Sequence, residues 1–284
     1  MNLLDKDGLS EEQYLSEYDP GNFARPSVTS DIVIFTVTDE CESNYRKLPE
    51  KELRILLIRR GAHPYIGQWA LPGGFVRPNE TVGAAANREL IEEAGIQCGH
   101  LEQLYTFSKP KRDPRTWIIS CAHMALVDSG KLKLIAGSDA NDARWFTIKA
   151  EYKAGLMTLS LSNDDIDLVA KVGLRHNGIE FEVVENDGLA FDHAEIIACA
   201  IERLRAKLEY TDLVFNLMPD RFTLTELQRV YETILGKSLF MAAFRRKIKD
   251  LVLETGEYTQ KAGHRPSQIF MRRKERKKNY DKQD

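Results

Sequence analysis

The 284-residue sequence predicts an α+β protein built from two modules. Three observations carry this. Short β-branched apolar runs lie along the first two thirds, with a strongly patterned helix among them. After residue 221 the order becomes helix, helix, strand, basic turn, strand. The sign of the charge also changes between the two parts.

The formal net charge is -3, yet residues 221–284 carry 16 Lys and Arg against 8 Asp and Glu, while residues 1–220 carry 24 against 35. Parts of opposite sign point to modules with different partners. A solubilising tail explains residues 272–284 (RRKERKKNYDKQD) but not the basic residues before them. Hydrophobic content of 43% and charged content of 29% are globular values. Cys41, Cys98, Cys121 and Cys199 form no CxxC pair and read as reduced, cytoplasmic thiols. The acidic start, MNLLDKDGLSEEQ, lacks the apolar stretch of a signal peptide. No apolar run approaches the roughly 18 residues of a membrane span.

Residues 1–25 read as an N-terminal arm, and residues 26–210 as the first module. Residues 30–38 (SDIVIFTVT) and 53–59 (LRILLIR) read as strands. Pro72, Gly73 and Gly74 mark a turn beside a short strand over 69–76. Residues 81–94 predict a helix stopped by Gly95. Residues 117–126 and 142–148 read as further strands. Within 151–186, His176, Asn177 and Gly178 sit between alternating runs, a strong hairpin signal that predicts an inserted hairpin. Residues 192–209 have helical spacing, and 211–221 read as a linker. The second module spans 222–273, with a basic tail at 274–284. Thr223 to Glu226 fits a capping box for a helix over 224–235, ended by Gly236. Ser238 is the expected cap of the next helix, over 239–251. Strands at 253–258 and 268–272 complete a winged-helix order.

On the helix over 81–94, Glu89, Glu92 and Glu93 fall at i, i+3 and i+4, on one face, with Arg88 placed to brace Glu92. Crowded hard oxygens suit Mg²⁺ or Mn²⁺. Glycine at 73 and 74 lets backbone approach the same place. A solvated helix face is the plain alternative, but the spacing argues against it. Gly74, Glu80, Arg88, Glu89, Leu90, Glu92, Glu93, Gly95 and Ile96 fit Gly-x5-Glu-x7-Arg-Glu-U-x-Glu-Glu-x-Gly-U, where U is apolar.

That pattern resembles the Nudix family over the whole box. The resemblance implies an α/β/α sandwich with a mixed sheet. It also implies hydrolysis of a nucleoside diphosphate linked to another group. Glu89, Glu92, Glu93 and Arg88 become the candidate catalytic residues. The three glutamates with Gly73 become the metal set. The general base is left open, since in this family it can lie on a later loop.

Arg112, Asp113, Pro114 and Arg115 concentrate charge before a strand. Alone this is an ordinary solvated loop, but beside a diphosphate site Arg forks match phosphate oxygens. Gly74, Arg59, Arg112, Asp113 and Arg115 are the candidate substrate-binding residues. His193 alone reads as a helix-start or packing residue.

Together with Tyr18-Asp19-Pro20, residues 67–76 (GQWALPGGFV), LAFDH and FTLTELQRVYETILGKSL, these segments resemble the Nudix-related transcriptional regulators of NAD metabolism. The group implies ADP-ribose or a related nucleotide as ligand, a homodimer and a palindromic operator in double-stranded DNA. Its members often carry a degenerate box and sense without cutting, whereas this box is intact. Arg245, Arg246, Lys247 and Lys249 are placed on the second helix of a helix-turn-helix, with Lys261, His264 and Arg265 on the wing turn. Recognition helices enter the major groove, and flanking cations meet phosphates. Phe244 and Ile248 read as core. The first reading is a hydrolase whose ligand state tunes DNA binding. The alternatives are a plain hydrolase with a structural C-terminal domain, and a non-hydrolysing ADP-ribose-sensing repressor.

Overall fold

A computed structural model describes residues 3–40, 50–96, 99–132, 142–174, 181–259 and 266–273. The expectations for Cys41, Cys98, the turn at His176, Asn177 and Gly178, the wing residues Lys261, His264 and Arg265, and the tail at 274–284 lie outside the described residues.

The first module is a ten-stranded mixed sheet between two helices. Its strands are β1 (Ser27–Asp39), β2 (Lys51–Arg59), β3 (Trp69–Ala70), β4 (Gly73–Phe75), β5 (His100–Phe107), β6 (Ile118–Asp128), β7 (Ala143–Lys153), β8 (Leu156–Asn163), β9 (Ile166–Leu174) and β10 (Phe181–Asn186). The main order is β10-β9-β8-β7-β2-β1-β6-β5, with β3 on β2 and β4 on β1. Only β1 and β6 pair in parallel among these strands.

Strand β1 is buried on both faces, and its period of two divides the core. Val33, Phe35 and Val37 join one cluster with Ile197, Ile201 and Leu204 of α3 (His193–Tyr210). Ile32 and Ile34 join the other with Ala86 and Leu90 of α2 (Val82–Ala94). The expected sandwich follows directly. Helix α2 starts on Thr81, whose hydroxyl accepts from the Ala84 amide, and stops at Gly95 with φ of 63°.

Three regions differ from expectation. Residues 151–186 are not one inserted hairpin. They continue the main sheet as an antiparallel meander through β7, β8, β9 and β10, with tight turns at Ala154-Gly155 and Asp164-Asp165. Strand β5 has an irregular burial pattern and is not legible as an alternating run. The linker at 211–221 is packed into the core through Leu213, Val214, Phe215 and Leu217. Near the N-terminus, α1 (Glu11–Glu17) buries no residue.

The second module has β11 (Phe222–Thr223), α4 (Leu224–Leu235), α5 (Met241–Ile248), β12 (Val252–Tyr258) and β13 (Gln268–Arg272). The three strands run in the order β11-β13-β12. The capping box at Thr223 and Glu226 is formed in both directions, and Gly236 closes α4 with φ of 67°. Ser238 does not cap α5. Phe240 takes that position without a side-chain bond, while Glu232 Oε1 and the Gln228 amide hold Leu239 in the turn. No helix among the described residues is long and apolar enough to cross a membrane.

Candidate active site and nucleic-acid interface

Helix α2 lies against β4 and presents its glutamates to the Gly73–Phe75 strand. The Gly73 amide donates to Glu93 Oε2 at 2.8 Å. A Cβ on Gly74 would stand 2.2 Å from Glu89 Oε1, and one on Gly73 would stand 2.3 Å from the Ser30 carbonyl oxygen. Gly73 needs glycine because backbone already fills that space, whereas at Gly74 the space is filled by the end of the Glu89 side chain.

Arg88 answers the repulsion within the acidic helix. Its guanidinium donates to Glu80 at 3.0 and 2.7 Å, to Glu89 at 2.5 Å, to Glu92 at 3.0 Å and to the Phe75 carbonyl at 3.2 Å. The Arg88 hydrogen bond is the main reason the Glu80 carboxyl is pulled down to about 2. Glu93 goes the other way: burial pushes its carboxyl up to about 7, with Glu89, Asp31 and Glu92 adding repulsion. Glu89 is buried, Glu93 half-buried and Glu92 exposed. Hard oxygens gathered on one helix face are the donor chemistry a small divalent cation needs. Of the box residues, Glu80, Glu89 and Glu92 are gathered on Arg88, and Glu93 is tied to Gly73.

The predicted substrate residues divide. Arg112 is buried and donates to both oxygens of Asp192, at 2.8 and 2.6 Å. Burial alone lowers its pKa, but the Asp192 hydrogen bonds outweigh this and raise it. Asp31 lies 3.5 Å from Arg112 Nη2 and accepts from Ser120 at 2.5 Å. Arg112 is thus a structural ion-pair partner rather than a free phosphate fork. Asp113 is also buried and grips Arg115 with both oxygens, at 3.0 and 2.7 Å. Arg115 remains exposed.

Arg59 is exposed and donates to the Gly67 carbonyl at 3.2 Å. Its neighbour Arg60 turns inward instead, with its guanidinium carbon 4.8 Å from the centre of the Phe191 ring. Arg115 lies 5.7 Å from that ring and 5.4 Å from the Phe75 ring. Arg60, Tyr65 and Phe191 are absent from the sequence-predicted set, and only the LAFDH segment hints at Phe191.

His193 fills the packing role expected of it. Its Nδ1 accepts from the Leu71 amide at 2.9 Å, which places the proton on Nε2, 3.9 Å from Asp31 Oδ1. Burial pushes its pKa down.

On the second module, Arg245, Arg246 and Lys247 are exposed along α5, while Phe244 and Ile248 are buried against α4. Tyr231 meets Phe244 edge-on at 5.2 Å, which fixes the rotation of α5. Lys249 is exposed at the C-cap, just beyond the helix rather than on it. A groove beside these residues is lined by Thr225, Arg245, Lys249, Tyr258, Gln268 and Arg273. The two modules touch where Arg205 of α3 donates to Ile234 O of α4 at 2.9 Å, and Thr233 donates to Lys51 O at 2.9 Å.

Residues 47–162 match the NUDIX domain family, and residues 214–271 match the NrtR DNA-binding winged helix domain. The Nudix family generally uses divalent metals such as Mg²⁺. The chain is 33% identical over 265 residues to the ADPR responsive transcriptional repressor NtrR of Acinetobacter baylyi, covering 92% of this chain and 88% of that protein. It is 44% identical over 99 residues to the ADP-ribose pyrophosphatase of Methanocaldococcus jannaschii, covering 35% of this chain and 57% of that enzyme. The crystal structure of Shewanella oneidensis NrtR complexed with a 27mer DNA superposes with a TM-score of 0.62 at 27% identity, covering 87% and 93% of the two chains. With a Nudix box folded intact on α2 and a winged helix behind it, the chain belongs to the NrtR-type family of Nudix-related transcriptional regulators.

Proposed function

We propose that this chain is a divalent-metal-dependent Nudix hydrolase of ADP-ribose or a related nucleoside diphosphate derivative, and that its nucleotide state tunes binding of the winged helix to operator DNA. One observation carries the reading. An unbroken box, with Arg88 holding Glu80, Glu89 and Glu92 together, shares a chain with the exposed cations Arg245, Arg246, Lys247 and Lys249. The likeness to an ADPR-responsive repressor over most of the chain, and to an ADP-ribose pyrophosphatase over the box region, supports both halves. A homodimer reading a palindrome completes the scheme.

Glu89, Glu92 and Glu93 would hold Mg²⁺ or Mn²⁺, which supplies charge neutralisation of the diphosphate and activation of water. The chain's own part is positioning. Arg88 keeps Glu89 and Glu92 on one side of α2, and the Gly73 amide fixes one oxygen of Glu93. Gly74 leaves the space that the Glu89 carboxylate fills. The test is AMP release from ADP-ribose with Mg²⁺ and with EDTA. Release with Mg²⁺ and none with EDTA is expected; no release under either condition contradicts the hydrolase half.

A specific observation favours a second reading, a repressor that binds ADP-ribose without cutting it. Glu89 and Glu92 are turned to Arg88, and Glu93 to Gly73. Under that reading ADP-ribose binds tightly and no AMP appears.

A further inference from the structure

Two arginines converge at the rim of the glutamate site. Arg60 lies 4.8 Å from the centre of the Phe191 ring, and Arg115 lies 5.7 Å from the same ring. Like charges on one aromatic ring repel, and here that repulsion helps burial to lower the Arg60 pKa. Asp113, Asp31 and Glu93 are the acids near enough to act on Arg60. Asp113 is already gripped by Arg115, Asp31 faces Arg112 and Ser120, and Glu93 takes the Gly73 amide.

The hydrogen bonds of both guanidiniums are only partly used. Arg60 donates from Nε to the Pro64 carbonyl at 2.7 Å and from Nη2 to the Ala62 carbonyl at 3.5 Å. Arg115 donates from Nε and Nη2 to Asp113. The Nη1 group of each has no hydrogen-bond partner among the described residues.

The ring that seats them is held under strain. Phe191 has φ of 51° and Tyr65 has φ of 61°, both in the left-handed region that bulky residues avoid. These two residues meet ring to edge at 4.7 Å. Strained non-glycine backbone persists where surrounding structure over-determines it, and it collects at ligand clamps. Phe191 is also tied to the fold behind it, since Asp192 pairs with Arg112 and His193 accepts from Leu71.

We propose that Arg60 and Arg115, seated together on Phe191, form a clamp for the ligand's diphosphate that works without a divalent cation, with Phe191 as the positioning residue. This rests on the reading of the site as one for nucleoside diphosphates. A diphosphate diester carries two negative charges near neutral pH; Arg60 brings a guanidinium with no carboxylate hydrogen-bonded to it among the described residues, and Arg115, though paired with Asp113, brings its unused Nη1. Arginine forks match phosphate oxygens and remain charged at any working pH. The nucleotide is therefore retained whether or not the glutamates hold metal, so sensing is separable from cutting.

Calorimetry of ADP-ribose binding to the full chain in EDTA tests this, with inorganic pyrophosphate and orthophosphate as competitors. ADP-ribose binds without metal, and pyrophosphate competes better than orthophosphate. Arg60→Gln and Arg115→Gln each weaken binding at least about ten-fold, as loss of one charge-assisted contact predicts. Phe191→Leu weakens it similarly, and Phe191→Tyr restores it. Unchanged melting temperatures in the arginine variants separate lost contacts from lost folding. Binding that appears only with Mg²⁺, or that is unchanged in both arginine variants, overturns the clamp. Metal-free binding with no AMP release under Mg²⁺ sinks only the hydrolase reading. AMP release under Mg²⁺ with no binding in EDTA sinks only the clamp.

Discussion

Glu89 fills the space that a side chain at Gly74 would occupy, with its Oε1 only 2.2 Å from where that Cβ would be. Gly74→Ala must therefore push the Glu89 carboxylate away from the strand. We predict a loss of metal-dependent turnover with little loss of stability, because the flexible end of one side chain absorbs the clash. Steady-state AMP release and a urea denaturation curve check the two parts separately.

Removing charge from the acidic face without changing its shape acts on chemistry alone. Glu92→Gln and Glu93→Gln are each expected to lower kcat by about 10²–10⁴-fold, the usual range for a lost acid–base or metal-linked group. The far-UV circular dichroism spectrum should stay that of the wild type. Wild-type turnover in both variants would remove these glutamates from the reaction.

Arg112 and Asp192 form a buried, two-pronged ion pair. Breaking such a pair leaves an uncompensated charge and costs about 3–5 kcal/mol. Arg112→Met should show that loss in urea unfolding. The double variant Arg112→Met with Asp192→Leu should recover part of it, because no lone charge remains.

His193 is buried in its neutral form, and protonation would break its bond from the Leu71 amide. Its folded pKa lies below the ordinary value of about 6.5. As pH falls, the unfolded chain takes this proton first. The His193 contribution is thus full above about pH 6.5 and is lost as pH drops below it. Glu93 and Glu195 are shifted upward by burial and act with the opposite sign. The test is therefore the difference between wild type and His193→Gln, whose amide oxygen can still accept from Leu71. Between pH 7.5 and 5.5 the melting temperature of the wild type should fall further than that of the variant.

Exposed arginines on α5 predict salt-dependent DNA binding. Arg245→Ala with Arg246→Ala should reduce the slope of log affinity against log salt by about 2 if both meet phosphates. If either reads a base edge, it should instead cost about 1–3 kcal/mol at its cognate base pair. Fluorescence anisotropy over a salt series distinguishes these outcomes.

The parts legible in the sequence are those governed by local rules. Helix α2 begins at Thr81 and ends at Gly95 because a capping hydroxyl and a left-handed glycine announce themselves within one turn. The Thr223–Glu226 box is visible for the same reason. What was hidden depends on distant partners. Arg112 and Arg115 are three residues apart and equally basic, yet Asp192, 80 residues from Arg112, buries one and leaves the other exposed. Arg59 and Arg60 are adjacent at the end of β2, and only the turn after it decides which one reaches Phe191. Nor does the turn signal at residues 176–178 reveal that the strands around it extend the main sheet, because edge pairing depends on β7 and β8.

Linkage between the two modules is the central claim, and DNA affinity with and without nucleotide tests it most directly. The measurement is fluorescence anisotropy of the full chain on a labelled duplex selected from random sequence for binding to it, titrated with ADP-ribose. A coupled protein changes its DNA affinity by at least about five-fold, the lower end of ordinary allosteric coupling. Equal affinities with saturating ADP-ribose and with none would contradict the account.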